Sequence, residues 1–282
     1  MATTVEVPTR TSGLRAHASK IAIRGAEMAV GTMLFILLLE AVLRFDALDP
    51  VLWNLYFPSF LDGIVLSLRY LGIILPLSAG IGFLVGWARI SRLRVISWPL
   101  SVYVDFFRGV PPIIIVIFAA VLGPSLLPER FRSQDIGITI AALALALHSG
   151  AYQSEIFRAG FMSVPHGQLE AAQSLGMTQG RAMQHVVLPQ ALRLSIPPLA
   201  NEFAVVIKDT SLLAIVGGFE LFGSSFIFEQ QILFSAGNQL SWIFVVWTAV
   251  ALVYFVMTFS VTELLNALDR RYHVRGLEAI SV

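Results

Sequence analysis

Six stretches of predominantly apolar residues, each close to the length that crosses a lipid bilayer, divide this chain. They run over residues 26–43, 61–87, 95–122, 136–156, 197–216 and 240–262. A transmembrane helix needs about 20 apolar residues in succession, because lipid offers the backbone no other hydrogen-bond partners than its own. The pattern therefore predicts an all-α polytopic membrane protein with six transmembrane helices.

The composition excludes several other classes of protein. Charged residues make up 13% of the 282 residues and hydrophobic residues 56%, whereas soluble domains carry roughly 25% charged residues. The chain has no cysteine, which excludes disulfides, thiolate metal sites and cysteine nucleophiles. Its five histidines are scattered without ligand spacing, so we expect no metal site. The net charge is +1, and nothing indicates binding of nucleic acid.

The first apolar stretch follows a polar, basic segment, an arrangement that a secretory signal peptide would share. No small-x-small cleavage pattern is clear, and Glu40, Arg44, Asp46 and Asp49 crowd the expected cleavage position. We therefore expect a tail over residues 1–25, and then a first transmembrane helix with its external loop over residues 26–60.

The basic residues are distributed unevenly between the two ends of the predicted spans. Thirteen of the 19 lysines and arginines fall in the N-terminal tail, in alternate connections and after the sixth span. The opposite connections hold only Arg44, Arg130 and Arg132. Basic residues are enriched in cytoplasmic loops, so both termini, including a tail over residues 271–282, are predicted to be cytoplasmic.

The longest cytoplasmic connection, residues 157–196, has the pattern of an ordered insertion rather than a linker. Two short helices are predicted over residues 168–175 and 180–188, separated by Gly176 and closed by Pro189. Glycine readily ends a helix in the left-handed conformation, and the small side chains of Ala171 and Ala172 would let another protein approach closely. An amphipathic interfacial helix is the alternative, but it leaves the glycine and Leu-Pro spacing unexplained. No GxxxxGK[ST] phosphate loop is present, so the chain does not hydrolyse ATP by that route.

The spacing inside this connection resembles the EAA motif of ABC importer permeases, EAA-x3-G-x9-I-x-LP. Glu170-Ala171-Ala172 is followed after three residues by Gly176, and after nine more by Val186-Val187-Leu188-Pro189, with valine in place of isoleucine. Four further segments resemble those of polar amino acid importer permeases, and the likeness extends over residues 62–271: Tyr103–Pro111, Ala151–Gly160, Pro165–Ala172 and Leu188–Leu212.

The resemblance implies a type I ABC importer permease fold, with a core domain over residues 61–270 and a coupling helix in the cytoplasmic loop. It further implies a bacterial inner-membrane subunit that pairs with a second copy or a paralogue. The implied partners are a cytoplasmic ATPase dimer, which holds ATP and Mg²⁺, and an extracytoplasmic amino acid binding protein; this chain itself needs no cofactor. The expected ATPase-coupling residues are Gln168, Glu170, Ala171, Ala172, Gly176, Leu188 and Pro189.

Charged residues inside the apolar spans are the candidates for binding substrate, because such residues are costly in a membrane. Lys208 lies about 16 Å along a helix counted from Pro197, near the predicted bilayer midplane, and Glu202 and Asp209 share one helical face. A cation beside two carboxylates would complement an amino acid, although an internal salt bridge is the alternative. Arg69 and His148 are further candidates, for which snorkelling and simple packing are the alternatives.

Two other features of the spans have structural interpretations. Residues 108–112, Arg-Gly-Val-Pro-Pro, are expected to break the third span, which is tolerable only against protein or water. Tyr152, Glu155 and Arg158 follow at helical spacing and are expected to link the fourth span to the coupling loop.

The most economical reading is import of an amino acid driven by ATP on partner chains. The same family could import an opine, cystine or another amino acid derivative. An ion-coupled secondary carrier would explain the spans but not the coupling loop. A sensor subunit without a transport path would keep the loop.

Overall fold

A computed structural model describes residues 25–27, 30–38, 40–42, 46, 48–91, 93–234 and 241–272. All regular elements of these residues are helical, which confirms the predicted all-α fold. The helices are Gly25–Val42 (α1), Pro50–Arg89 (α2), Arg94–Gly109 (α3), Pro112–Ser125 (α4), Gln134–Met162 (α5), His166–Ser174 (α6), Gln179–Ala182 (α7), Leu188–Asp209 (α8), Leu221–Phe234 (α9) and Trp242–Tyr272 (α10). The basic tail before Gly25 and most of the C-terminal tail lie outside the described residues.

The second helix, α2, is the longest element that follows the first span. It has 40 residues and is therefore about 60 Å long, twice the thickness of a bilayer core. It begins at Pro50 rather than at the predicted residue 61, because the Asp49 side chain accepts hydrogen bonds from Val51 N and Leu52 N. Proline in the first turn of a helix costs no hydrogen bond. The predicted external loop is thus partly helical.

The third span is broken as predicted. Helices α3 and α4 are inclined at 104° to each other across Val110 and Pro111, which are both extended. Proline favours an extended residue before it, and Pro111 and Pro112 together prevent a continuous helix. Four helices of the described residues are long and apolar enough to cross a membrane, and six spans result if α3–α4 and the bent pair formed by Gln179–Val216 and α9 each count as one.

The fifth span differs from the prediction at its start. Residues 179–209 are continuously helical, and a 3₁₀ segment continues to Val216. Pro197 and Pro198 therefore lie inside α8 instead of opening it. A 48° bend then leads into α9, after the left-handed Gly217, which has φ 86°. The sixth span, α10, extends to Tyr272, ten residues beyond the predicted end.

Three apolar clusters hold the helices together, and α2 contributes to each of them. The first joins Tyr56 to Phe228 and Trp242, and the second joins Ile74 to helices α4, α5 and α8. In the third, Phe83 and Trp87 meet the end of α5 and the start of α8. Helices α2 and α5 approach so closely that a Cβ atom on Gly82 would lie 2.6 Å from the Gln153 Cβ. Helix α2 therefore packs against the other helices in all three clusters along its length.

Candidate functional site

The loop between α5 and α8 contains α6, which ends in a well-defined turn. The N–H of Met177 donates to the Ala172 carbonyl at 3.1 Å, and the N–H of Gly176 donates to the Gln173 carbonyl at 2.9 Å. These two bonds form a Schellman motif, which requires a left-handed residue after the helix. Gly176 fills that position with φ 84°. The predicted left-handed turn at Gly176 is therefore confirmed.

Helix α6 divides its residues between an inward and an outward face. Ala172 is buried, and Leu169 packs against the third apolar cluster. Gln168, Glu170 and Ala171 are exposed. The next residue after the helix, Leu175, is 84% exposed. The outward face of the loop in this single chain therefore consists of Gln168, Glu170, Ala171 and Leu175.

The second half of the loop runs directly into the fifth span. Helix α7 passes through a π-turn over Met183–Val187 into α8, so the prediction that Pro189 closes this helix is wrong. Pro189 lies in the first turn of α8, and it supplies no N–H to the preceding turn. The Gln190 side chain donates to the Val186 carbonyl at 3.0 Å. Leu188 and Pro189 are both half-buried at this junction.

The loop is attached to the spans through an aromatic cluster. Trp87 of α2 lies 5.2 Å from Phe161 of α5, and Phe83 lies 5.5 Å from Phe157, measured between ring centroids in edge-on contacts. A cavity of about 580 Å³ between α2, α5 and the loop is lined by Trp87, Phe161, Leu169 and Met183, among others. A displacement of α6 would therefore be transmitted to the ends of α2 and α5, because packed cores do not deform continuously.

Three arginines surround one carboxylate near the same ends of these helices. Glu155 of α5 accepts from Arg89 at 2.6 Å and from Arg158 at 2.8 Å, and Arg108 lies 3.5 Å from it. Arg89 and Arg108 occupy the last turns of α2 and α3, where the helix dipole favours cations. The predicted link from Glu155 and Arg158 to the coupling loop is wrong, since their ion pairs tie α5 to α2 and α3.

Tyrosines secure α3 against α5 beside this cluster. The Tyr103 hydroxyl donates to the Leu147 carbonyl at 2.6 Å, and the Tyr152 hydroxyl donates to the Arg108 carbonyl at 3.3 Å. The Arg108 guanidinium lies 5.6 Å from the Tyr152 ring centroid. His148 is buried one turn away, with its ring 5.1 Å from Tyr152. Among the described residues neither ring nitrogen of His148 has a hydrogen-bond partner of regular geometry, although the Val110 backbone is close.

The three charged residues of the fifth span lie on α8. Lys208 and Asp209 are its last two residues. The depth expected for Lys208 in the membrane was counted from Pro197, whereas α8 begins at Leu188. Lys208 is exposed in the single chain, and Glu202 and Asp209 are half-buried. Within the described residues none of the three forms an ion pair within 4.0 Å. The internal salt bridge considered for Lys208 is therefore absent from this part of the chain.

Arg69 lies on an exposed face of α2 and likewise has no ion-pair partner among the residues the structure describes. Asp62 occupies the same helical face seven residues earlier. The structure thus does not gather the five predicted substrate residues into one cavity of the single chain. His148 belongs to the break between α3 and α4, Arg69 to the outside of α2, and the remaining three to α8.

Sequence reasoning missed a buried acid, Glu220. Its carboxylate accepts hydrogen bonds from the backbone of Phe222 and Gly223 at 2.8 and 2.9 Å, and from the Tyr254 hydroxyl at 2.9 Å. Ser67 of α2 donates to it at 3.5 Å and accepts from Leu221 N at 3.0 Å. This group joins α2, α9 and α10. A lone glutamate before an apolar run offers little signal, because helix caps are usually Ser, Thr, Asp or Asn.

Comparisons with known proteins agree on one family. Residues 78–274 match the family of binding-protein-dependent transport system inner membrane components. The chain is 34% identical over 215 residues to the probable glutamine ABC transporter permease protein GlnM of Bacillus subtilis (strain 168), covering 76% of this chain and 94% of that protein. It is 37% identical over 184 residues to the L-cystine transport system permease protein TcyB of the same organism, covering 65% of this chain and 74% of the relative.

Solved structures give the same architecture. One described as an amino acid ABC transporter with histidines superimposes with a TM-score of 0.66 at 29% identity, covering 80% of this chain and 99% of the other. Inward-facing MetNI methionine ABC transporter shows the same fold with a TM-score of 0.62 at 15% identity, over the same shares of the two chains.

Proposed function

The chain belongs to the family of binding-protein-dependent transport system inner membrane components, and on that premise we propose that it is the permease subunit of an ATP-driven importer that carries an amino acid across the membrane. The named substrates of its relatives, which include glutamine, cystine and glutamate or aspartate, support this class of substrate. The single observation that carries the coupling role is the exposed helix α6, held by a Schellman turn at Gly176.

The proposed partners follow from the family. A cytoplasmic ATPase dimer binds ATP and Mg²⁺ and hydrolyses the nucleotide, an extracytoplasmic binding protein delivers the amino acid, and a second permease copy or a paralogue completes the path. The outward face of α6, with Gln168, Glu170, Ala171 and Leu175, is the surface that this chain would offer the ATPase.

This chain's own residues would transmit the motion as follows. The ATPase displaces α6, and Leu169 and Ala172 carry the displacement into the third apolar cluster. Trp87 and Phe161 then shift the ends of α2 and α5. Leu188 and Pro189 lie where the loop continues into α8, so the same movement reaches the helix that bears Glu202, Lys208 and Asp209.

The residues proposed to meet the substrate are Lys208, Glu202 and Asp209, with Arg69 and His148 as secondary candidates. Lys208 is exposed on the single chain and has no ion-pair partner in the described part of it, so its charge is free to meet a carboxylate within the assembled pair of permeases. Glu202 and Asp209 would meet the ammonium group. His148 and the extended segment at Val110 would line the bend between α3 and α4, where backbone groups are free of helical bonds.

The proposed location is the bacterial inner membrane, with both termini in the cytoplasm. The support for this orientation is the excess of basic residues on one set of connections. It places α6 and the ends of α2 and α5 on the cytoplasmic side, where an ATPase is available.

Uptake into vesicles tests the proposal. The permease, the ATPase and the binding protein would be reconstituted together, and import of labelled glutamine, glutamate, cystine and an opine would be measured with and without ATP. We expect ATP-dependent import of at least one of the four that also requires the binding protein. Import driven by an ion gradient without the ATPase would favour a secondary carrier. ATPase stimulation without import of any substrate would favour a sensor subunit.

A further inference from the structure

The arginine cluster around Glu155 carries more positive charge than its own acid can neutralise. Arg89, Arg108 and Arg158 supply three guanidinium groups, and Glu155 supplies one carboxylate. Asp105 lies one turn before Arg108 on α3, is exposed and forms no ion pair within 4.0 Å. The group of three arginines and Glu155 therefore has a net charge of +2. The proposed transport mechanism does not use this charge.

The excess charge is accessible on one side of the cluster. The Arg89 side chain is 9% exposed and binds Glu155 at 2.6 Å. The side chains of Arg108 and Arg158 are 44% and 34% exposed. Arginine presents a planar fork of donors that can bind phosphate in a bidentate manner. Both groups contact the one carboxylate of Glu155, so the two guanidinium groups lie close together and are not isolated surface charges.

The helix that carries Arg108 also exposes several apolar side chains. One face of α3 exposes Val95, Trp98, Val102 and Phe106 at helical spacing. Arg108 lies in the last turn of the same helix, on the face of the buried Val104 that turns towards Glu155 of α5. An amphipathic helix of this kind lies at the boundary between headgroups and acyl chains. The cluster lies near the end of α5, about 10 Å before Met162 at 1.5 Å per residue, which is a depth that suits headgroups.

We infer that Arg108 and Arg158 bind the phosphate of an anionic phospholipid at the point where the end of α3 meets α5. Basic pockets between transmembrane helices bind anionic headgroups in this way. Glu155 holds the two arginines in position through its contacts with Arg158 at 2.8 Å and Arg108 at 3.5 Å. A lipid bound here would brace α3 against α5, beside the cavity that receives the coupling loop.

Native mass spectrometry of the full chain in neutral detergent tests the inference. Phosphatidylglycerol and phosphatidylcholine would be added at equal concentration, and the ratio of their bound forms would be measured. We expect the wild-type chain to prefer phosphatidylglycerol. Arg108→Gln and Arg158→Gln should each lower that preference about fivefold, and the double variant about 25-fold, since one arginine near a membrane surface contributes about 1 kcal/mol. The double variant keeps the short Arg89–Glu155 pair and thus the ion pair between α2 and α5.

Arg181→Gln is the matched control, because Arg181 is an exposed arginine of the loop outside the cluster; its preference should equal that of the wild type. The double variant Arg108→Lys and Arg158→Lys restores the charge and should recover most of the preference. Equal binding of the two lipids by the wild-type chain would overturn the inference and leave the charge to a protein partner. Wild-type preference in the double glutamine variant would overturn it as well.

Discussion

At the scale of single residues, the positions proposed for coupling and for substrate binding differ in how far local sequence determines their conformation. Gly176 is fixed by its neighbours, because a Schellman turn demands a left-handed residue directly after the helix. Lys208 is fixed only as part of α8, and what it meets depends on chains outside this one. The first kind of residue is testable within one subunit and the second only in the assembly.

Substitution of Gly176 should uncouple the permease from its ATPase. In Gly176→Val the left-handed backbone would cost about 1–3 kcal/mol, since φ is 84°. A Cβ atom there meets nothing within 4 Å, so the effect is conformational and not steric. We expect stimulation of ATP hydrolysis by loaded binding protein to be lost while the chain still inserts.

Gly180→Val controls for the added side chain. Gly180 also has open space around it and lies in the same loop, but it is not in the left-handed region. It should retain stimulation close to wild type. Normal stimulation in Gly176→Val would remove Gly176 from the coupling elements.

Removal of the Lys208 charge should impair transport without unfolding the chain. Lys208→Met should lower the rate of uptake about tenfold or more, because a charge-assisted hydrogen bond contributes about 1.5–3 kcal/mol. Lys208 pairs with no carboxylate in the described part of the chain. The melting temperature of Lys208→Met should therefore stay near that of the wild type.

Lys208→Arg, which keeps the charge, should recover part of the activity. The binding protein's affinity for its amino acid should be unchanged, since its site is on another chain. A strong loss of thermal stability in Lys208→Met would favour a structural ion pair across the permease pair. Full transport by a stable Lys208→Met complex would exclude both roles.

At the scale of elements, the helices and the breaks between them could be predicted more securely than their ends. The break at residues 110–112 followed from two prolines, and the end of α6 followed from Gly176. The start of α8 did not follow from Pro189, because a proline is compatible with the first turn of a helix and the preceding π-turn removes the need for its N–H. Similarly, Asp49 capping α2 lay in a stretch that hydropathy alone assigned to a loop.

The candidate site was predicted less completely than the helices. The residues of α6 follow from a linear motif, so their arrangement was accessible from sequence. Glu155 was recognised, but its partners Arg89 and Arg108 come from other helices. Glu220 was missed because two of its four donors, Ser67 and Tyr254, come from helices that are distant in sequence. Such contacts depend on tertiary packing, which no local pattern records.

The hydrogen bonds of Glu220 should stabilise the packing of α2, α9 and α10. In Glu220→Gln the new amide N–H groups would face donors of Phe222, Gly223 or Tyr254, leaving a buried polar group unsatisfied. We expect the free energy of unfolding to fall by about 1–3 kcal/mol, measured as a lower melting temperature in detergent. Glu129→Gln is the control, because Glu129 is 92% exposed and forms only a long pair with Arg132. An equal melting temperature for Glu220→Gln and the wild type would show that the carboxylate is not needed as an acceptor.

At the scale of the whole molecule, a single orientation in the membrane must account for the positions of the coupling loop, the arginine cluster and the two tails. Helix α5 follows the 3₁₀ turn at Glu129–Phe131 and begins after Ser133. Its other end leads into the coupling loop. The two ends of α5 therefore lie on opposite sides of the membrane if α5 crosses it once. The coupling loop can meet an ATPase only from the cytoplasmic side. The basic asymmetry and the proposed contact of α6 with a cytoplasmic ATPase thus predict the same arrangement by independent routes.

Cysteine labelling in intact cells tests this arrangement. The chain has no native cysteine, so Gly180→Cys and Arg130→Cys each introduce a single thiol, one in α7 and one in the 3₁₀ turn before α5. Both positions lie in connections that are open to water in the predicted orientation, so the side of the membrane alone should decide their reactivity. We expect a membrane-impermeant maleimide to label Arg130→Cys in intact cells and to label Gly180→Cys only after the membrane is permeabilised. The reason is that thirteen of the 19 basic residues fall in the tails and connections that the sequence assigns to the side of position 180. A membrane-permeant maleimide, which should label both variants without permeabilisation, controls for a buried thiol. Labelling of Gly180→Cys in intact cells would place α6 outside the cell, beyond the reach of any cytoplasmic ATPase, and would contradict the orientation and the coupling role together.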